Sequence, residues 1–239
     1  MTRRFLNVKR ICRTFPLFVL PLLCLSLAHA QSGVDVGIGF GGAQTSAAST
    51  GLDPNTLQSC TLGSNPTGAG CASTPSLNTF MLGFSGDLMF WKHFGVGAEV
   101  NFQPAKQNYV NLNATAPSLG LTTFSIQSRV TFYDFNGIYQ PVRSKRAALK
   151  LEGGIGGANI KFYQSGSSSN SLVGNQNFSQ FFGSSNHFQV HGGAGVQIYL
   201  TEHVFVRPQF DIRYINNLTQ FGRNAVTEET VWVGYTLGQ

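Results

Sequence analysis

Apolar and polar residues alternate with a period of two along almost the whole chain beyond residue 30, the signature of half-buried strands. The first segment sets Val34, Val36, Ile38 and Phe40 against Asp35, Gly37, Gly39 and Gly41. The second sets Phe80, Leu82, Phe84, Leu88 and Phe90 against Thr79, Gly83, Ser85 and Asp87. The third sets Phe94, Val96, Ala98, Val100 and Phe102 against Gly95, Gly97, Glu99, Asn101 and Gln103. In the fourth, Tyr133, Phe135 and Tyr139 oppose Asp134, Asn136 and Gln140, with Ile138 interrupting the polar side. The fifth has Ala147, Leu149, Leu151 and Ile155 against Lys150, Glu152, Gly154 and Gly156. Beyond Gly157 the apolar positions pass to Ile160 and Phe162, and a bulge is expected there. The sixth segment sets Phe188, Val190, Ala194, Val196, Ile198 and Leu200 against His187, Gln189, His191 and Gln197. The seventh sets Val204, Val206, Phe210, Ile212 and Tyr214 against Arg207, Gln209, Asp211 and Arg213, with Pro208 marking a second expected bulge. The eighth sets Val231, Val233, Tyr235 and Leu237 against Gly234, Thr236 and Gly238. The pattern predicts an all-β protein of eight antiparallel strands.

Alternation does not say which face meets water, because a soluble barrel alternates too. The connections decide it. Three are short: Trp91–His93, 142–146 and Thr201–His203. The others, near residues 43–78, 104–128, 164–186 and 216–229, are long and rich in polar residues. Short and long links alternate, as in an up-and-down transmembrane barrel with tight turns at one end and outer loops at the other. Glycine is frequent on the polar face, which suits a narrow eight-strand interior where the few large polar chains need room. The apolar face carries no charge, while Asp35, Asp87, Glu99, Asp134, Glu152 and Asp211 fall on the other.

Charge and cysteine usage divide at residue 30. Arg3, Arg4, Lys9, Arg10 and Arg13 form a basic head, Phe15 to Ala28 an apolar stretch, and Ala28-His29-Ala30 a small-x-small cleavage site. Residues 1–30 are therefore expected to be a signal peptide and 31–239 the barrel domain. The formal +6 shrinks to +1 for residues 31–239, eleven bases against ten acids, so the basic pI gives no support for nucleic-acid binding. Cys60 and Cys71 share one long connection of an exported chain and are expected to form a disulfide.

With these features together, the chain resembles the small outer-membrane barrel superfamily that includes outer-membrane protein A, OmpW and OmpX types. The resemblance covers nearly all of residues 31–239. Its sharpest local likeness is Val231-Trp-Val-Gly-Tyr-Thr-Leu-Gly-Gln239, similar to the terminal strand read by the barrel-assembly machinery, with Gln239 where the family usually has Phe. It implies residence in the bacterial outer membrane, contact with its lipids, and a structural or interaction role toward an extracellular ligand. A narrow porin-like solute channel is the alternative, and a lipid A-modifying enzyme a distant one.

Candidate chemistry is sparse. Gly37 to Gly42 satisfies G-x-G-x-x-G, but no helix signal follows, as a dinucleotide site requires. Ser185-Asn-His187 runs in the reverse order of a deacylase-type His-x-Ser, and His187 is expected to face inward. No catalytic, metal or cofactor site is expected. The best constellation is an inward charge cluster of Asp87, Glu99, Asp134, Lys150, Glu152, Arg207, Asp211 and Arg213, most of it three to five residues from the short-turn end. At ~3.3 Å per residue these side chains fall near one level, either as packing or as the gate of a pore.

Overall fold

The computed structural model describes residues 33–45, 50–52, 59–61, 72–73, 77–112, 121–170, 174–221 and 223–238. The expected signal peptide, Cys71 and the Cys60 side chain lie outside the described residues.

Eight long strands form one closed antiparallel barrel. They are β1 (Gly33–Gln44), β5 (Asn78–Met89), β6 (Phe94–Phe102), β8 (Leu121–Arg143), β9 (Ala147–Asn170), β10 (Gly174–Tyr199), β11 (Val204–Ile215) and β12 (Ala225–Leu237). Each pairs with its sequence neighbour in this series, β1 pairs with β12, and the β6–β8 ladder from Phe94↔Tyr139 to Phe102↔Thr131 completes the ring. Closure leaves no sheet edge, which a strand-built protein in lipid requires. Short β2 (Thr50–Leu52), β3 (Ser59–Thr61) and β4 (Ala72–Ser73) make a separate small sheet, and β7 (Gln107–Leu112) pairs with the outer half of β8.

The eight predicted segments all lie on barrel strands with the apolar face outward. Val36, Ile38, Phe84, Phe135, Ile155, Phe188, Ile212 and Val233 are exposed, while all six acids assigned to the other face are buried. At the short-turn end Phe94 stacks on Tyr139 at 4.9 Å and His203 lies 5.3 Å from Tyr235, aromatic pairs suited to a membrane–water interface. Thr201 Oγ1 accepts from the backbone N–H groups of His203 and Val204, and Ser144 Oγ from Ala147, so both turns are held by side chains.

Three expectations need correction. The links at 104–128 and 164–186 are largely strand, because β8, β9 and β10 run 23, 24 and 26 residues and extend beyond the other barrel strands. The change of pattern after Gly157 is not a bulge in β9: the register continues unbroken from Gly157↔Phe188 to Phe162↔Gly183, and the irregularity lies beyond it, on β10 between Phe181 and Gly183. Nor does Pro208 shift register. The β10–β11 ladder lacks pairs there, then resumes with Ile198↔Val206 in the same frame as Gly195↔Gln209.

What changes near Gly157 is polarity, not phase. Along β8 the outward residues pass from Tyr139, Phe135 and Tyr133 to Thr131, Arg129 and Gln127. The inward ones pass from Gln140, Asn136 and Asp134 to Phe132, Val130 and Ile126. The other strands switch at the same level: Ala158 and Ile160 on β9, Ile215 on β11, Val226 on β12 and Ala43 on β1 all turn inward and are buried. A barrel wall in lipid needs an apolar outside. A wall in water needs an apolar inside, so the inversion marks where the strands leave the bilayer.

Candidate functional site

The barrel interior has two storeys. In the lipid-embedded storey seven carboxylates (Asp35, Asp87, Glu99, Asp134, Glu152, Asp211 and Glu228) and three permanent cations (Lys150, Arg207 and Arg213) are buried among the described residues. Inward-facing positions of β1, β5, β6, β8, β9, β11 and β12 supply them, and glycines on adjoining strands make the room. A Cβ at Gly97 would press on Asp87 and one at Gly193 on Asp211.

Arg213 is the hub. Its Nε donates to Glu228 at 2.7 Å, its Nη2 to Glu99 at 3.1 Å, and its Nη1 to Asp134. Such charge-assisted bonds are the strong ones. Lys150 Nζ lies 2.7 Å from Asp87 and 2.8 Å from Glu152. Arg207 donates Nη1 to Asp87 at 3.0 Å, while its Nε and Nη2 lack partners; its guanidinium carbon lies 5.5 Å from the Trp232 ring and 5.7 Å from Phe205. Gln209 Nε2 joins the two groups, reaching Glu152 at 2.5 Å, Glu99 at 3.4 Å and Asp211 at 3.0 Å. Asp35 stands apart, accepting from Thr236 at 2.6 Å and Gln197 at 3.1 Å. All eight residues read from the sequence as one cluster are thus brought within a single bonded network.

Four participants lie outside the cluster read from the sequence. Glu228 is missed when the eighth strand is begun at Val231, whereas β12 starts at Ala225; continuing the alternation backward turns Glu228 inward. The alternation puts Gln209 and His191 on the inner face, but nothing in the pattern sets them beside acids. Trp232, wholly buried, hides among Thr230, Gly234 and Thr236 on the inner face of β12.

Above the charges lies the apolar storey: Leu77, Met81, Tyr109, Ile126, Val130, Phe132, Ile160, Ile215, Leu218, Phe221 and Val226 form one buried cluster. Tyr109 meets Phe162 and Phe221 edge-on at 5.1 and 5.5 Å, and its hydroxyl donates to the Gln220 carbonyl at 2.5 Å. Burial holds that phenol well above its ordinary pKa.

Ser185 and His187 sit at this rim. Ser185 Oγ is 3.0 Å from His187 Nε2, but Nδ1 faces the Asn216 carbonyl at 3.0 Å, not a carboxylate. Gly37 to Gly42 lies within β1, extended and paired on both sides, and the strand runs on through Gln44.

A closed eight-stranded barrel with an apolar exterior and an ionic interior defines a transmembrane β-barrel of the outer-membrane class. The family comparison agrees: residues 15–236 match the outer membrane protein β-barrel domain, and the chain belongs to that family, which places it in the bacterial outer membrane. Among solved structures it is similar to Ail of Yersinia pestis in complex with the heparin analogue sucrose octasulfate (11% identity, 86% of this chain and 99% of that one, TM-score 0.48). It is also similar to OprG of Pseudomonas aeruginosa (16%, 88% and 100%, 0.47) and to a major outer membrane protein of Thermus thermophilus (11%, 86% and 99%, 0.46). No curated protein matches the chain.

Proposed function

We propose that this protein is a structural and interaction barrel, with its lumen closed to solutes and its long-connection end presenting a binding surface outside the cell. The observation that carries the reading is the storey inversion. An apolar layer buried across the barrel above an ion-paired layer supports packing rather than passage. The strands that continue beyond it, β8 to β10, form a wall clear of the bilayer whose sequence is rich in Ser, Asn and Gln. The partners in this reading are outer-membrane lipids against the exposed apolar belt, the assembly machinery at the β12 terminal strand, and an extracellular ligand on the extension. The signal peptide through Ala30 and the Cys60–Cys71 disulfide belong to the same proposal.

The channel alternative would use the same charges as a gate. The enzymatic alternative rests on the Ser185–His187 pair alone, which lacks the acid that orients the base of an activated serine.

Labelling of intact cells tests the orientation. Epitopes inserted at Asn170 and Asn217 will be reached by antibody, and one at Ser144 only after the outer membrane is breached. Surface labelling at Ser144 with none at Asn170 would reverse the barrel and remove the binding-surface reading.

A further inference from the structure

The charge layer does not balance itself. Seven buried carboxylates face three permanent cations among the described residues, and within that layer Glu152, His191 and Asp211 meet. Arg213 is occupied by Glu99, Asp134 and Glu228, and Lys150 by Asp87 and Glu152. Among the described residues Asp211 has only His191 as a basic partner, at 3.0 Å.

Three features of this corner point to a cation. One is the histidine. Its Nδ1 lies 3.2 Å from Asn136 Oδ1, and a proton donated there leaves a lone pair on Nε2 directed at Asp211 Oδ1 3.0 Å away. Lone pair and carboxylate repel unless a positive charge, either a second ring proton or a metal ion, lies between them. A ring N–H anchored on an oxygen with the other nitrogen free is how metal-binding histidines are held. Another is Gln209, only 5% exposed. Its single NH2 group is set against four carboxylate oxygens of Glu99, Glu152 and Asp211, more than two hydrogens can serve, while its Oε1 has no partner. Turning the amide over places that oxygen among the carboxylates as a further ligand. The last is Gly193, paired with both Glu152 and Asp211. A Cβ there would collide with Asp211 and come within 3.4 Å of Glu152 Cγ, so the missing side chain keeps open the space both carboxylates enter.

We propose that Glu152, His191 and Asp211, completed by Gln209, hold one first-row divalent cation inside the barrel wall. The ligand atoms of the first three lie within 4.8 Å of one another. That suits a common ion bonded at ~2.0–2.2 Å after small adjustments. One imidazole with two carboxylates and an amide oxygen selects Zn²⁺, Mn²⁺, Fe²⁺ or Co²⁺ over Ca²⁺ and Mg²⁺, which take all-oxygen shells. A dication halves the surplus negative charge, and it ties β9, β10 and β11 together at the level where Arg213 ties β6, β8 and β12. The ion is a resident of the packed interior, so this inference stands or falls separately from the binding-surface reading.

Cobalt is a suitable probe. The full chain, refolded in detergent without lipopolysaccharide and stripped with chelator, is titrated with Co²⁺ and followed by visible absorption and by ion retained on gel filtration. One ion per chain is expected, and at a free concentration about a hundred times Kd the urea unfolding constant falls about 100-fold. Replacing His29, His93, His187 and His203 together by Gln leaves His191 as the only histidine and should preserve binding; His191→Gln and Asp211→Asn should abolish it in chains that still show heat-modifiable mobility. A wild type that retains no ion overturns the proposal, as does loss of binding in the four-histidine variant or its survival in His191→Gln. If the last two single variants fail to fold, the wild type and the four-histidine variant still decide it.

Discussion

Arg213→Ala will cost the barrel more stability than any other single charge removal in the interior. The substitution strands Glu99, Asp134 and Glu228 together, each buried and each bonded to that one guanidinium. Breaking one buried pair typically costs ~3–5 kcal/mol, because a charge is left without compensation, and three carboxylates depend on this hub. The loss should therefore reach or exceed the upper end of that range. Arg207→Ala should cost less. Its partner Asp87 keeps Lys150 at 2.7 Å, and two of the guanidinium nitrogens make no hydrogen bond to begin with. Urea titration of both variants in detergent micelles, read by tryptophan fluorescence and heat-modifiable mobility, gives the ordering. Equal losses, or a larger one at Arg207, would contradict the assignment of Arg213 as hub.

Trp232→Ala is the second large effect, and its cause is volume. The ring is fully buried, and its Nε1 has no partner. It fills the lumen against glycines: a Cβ at Gly39 would lie 2.7 Å from the ring and one at Gly83 2.6 Å. Removing a buried aromatic typically costs ~3–5 kcal/mol, and the narrow ring of strands has little freedom to collapse into the hole. The same geometry makes Gly39→Val destabilising in the wild type by crowding, typically by ~1–3 kcal/mol. Combining the two changes should cost less than their sum, since the new methyls enter the space the indole vacates. Additive losses in the double-mutant cycle would mean that Trp232 and Gly39 do not share that space.

Much of this architecture is legible in the alternation, since lipid, wall and lumen impose a period of two on every strand they enclose. Val231, Val233 and Tyr235 against Thr236 place the last strand correctly, and the parity that turns Asp87, Glu99, Asp134 and Asp211 inward is the parity observed. The failures have one source. Beyond the bilayer the polarity of the two faces exchanges, so Ile160 looks like a phase slip and Val226 and Glu228 like loop, although the register runs unbroken through all three residues. Reading the exchange as a change of solvent recovers the extensions of β8, β9 and β10 and adds Glu228 to the cluster. Which acid meets which base is not legible in this way. Those partnerships depend on the stagger of neighbouring strands, which brings Arg213 to Glu99 across 114 residues of chain.

Whether the interior packs or conducts is the decisive property, because a binding scaffold and a channel would share every strand described above. Planar-bilayer recording of the purified wild-type protein, inserted from detergent at neutral pH, measures it directly. With the ionic layer bonded across the lumen and the apolar layer of Phe132, Ile160, Leu218 and Phe221 above it, the current should stay at the level of the bare bilayer after insertion is confirmed by protease protection. Reproducible, cation-preferring steps of uniform size would contradict the closed lumen and make the charge layer the gate of a channel.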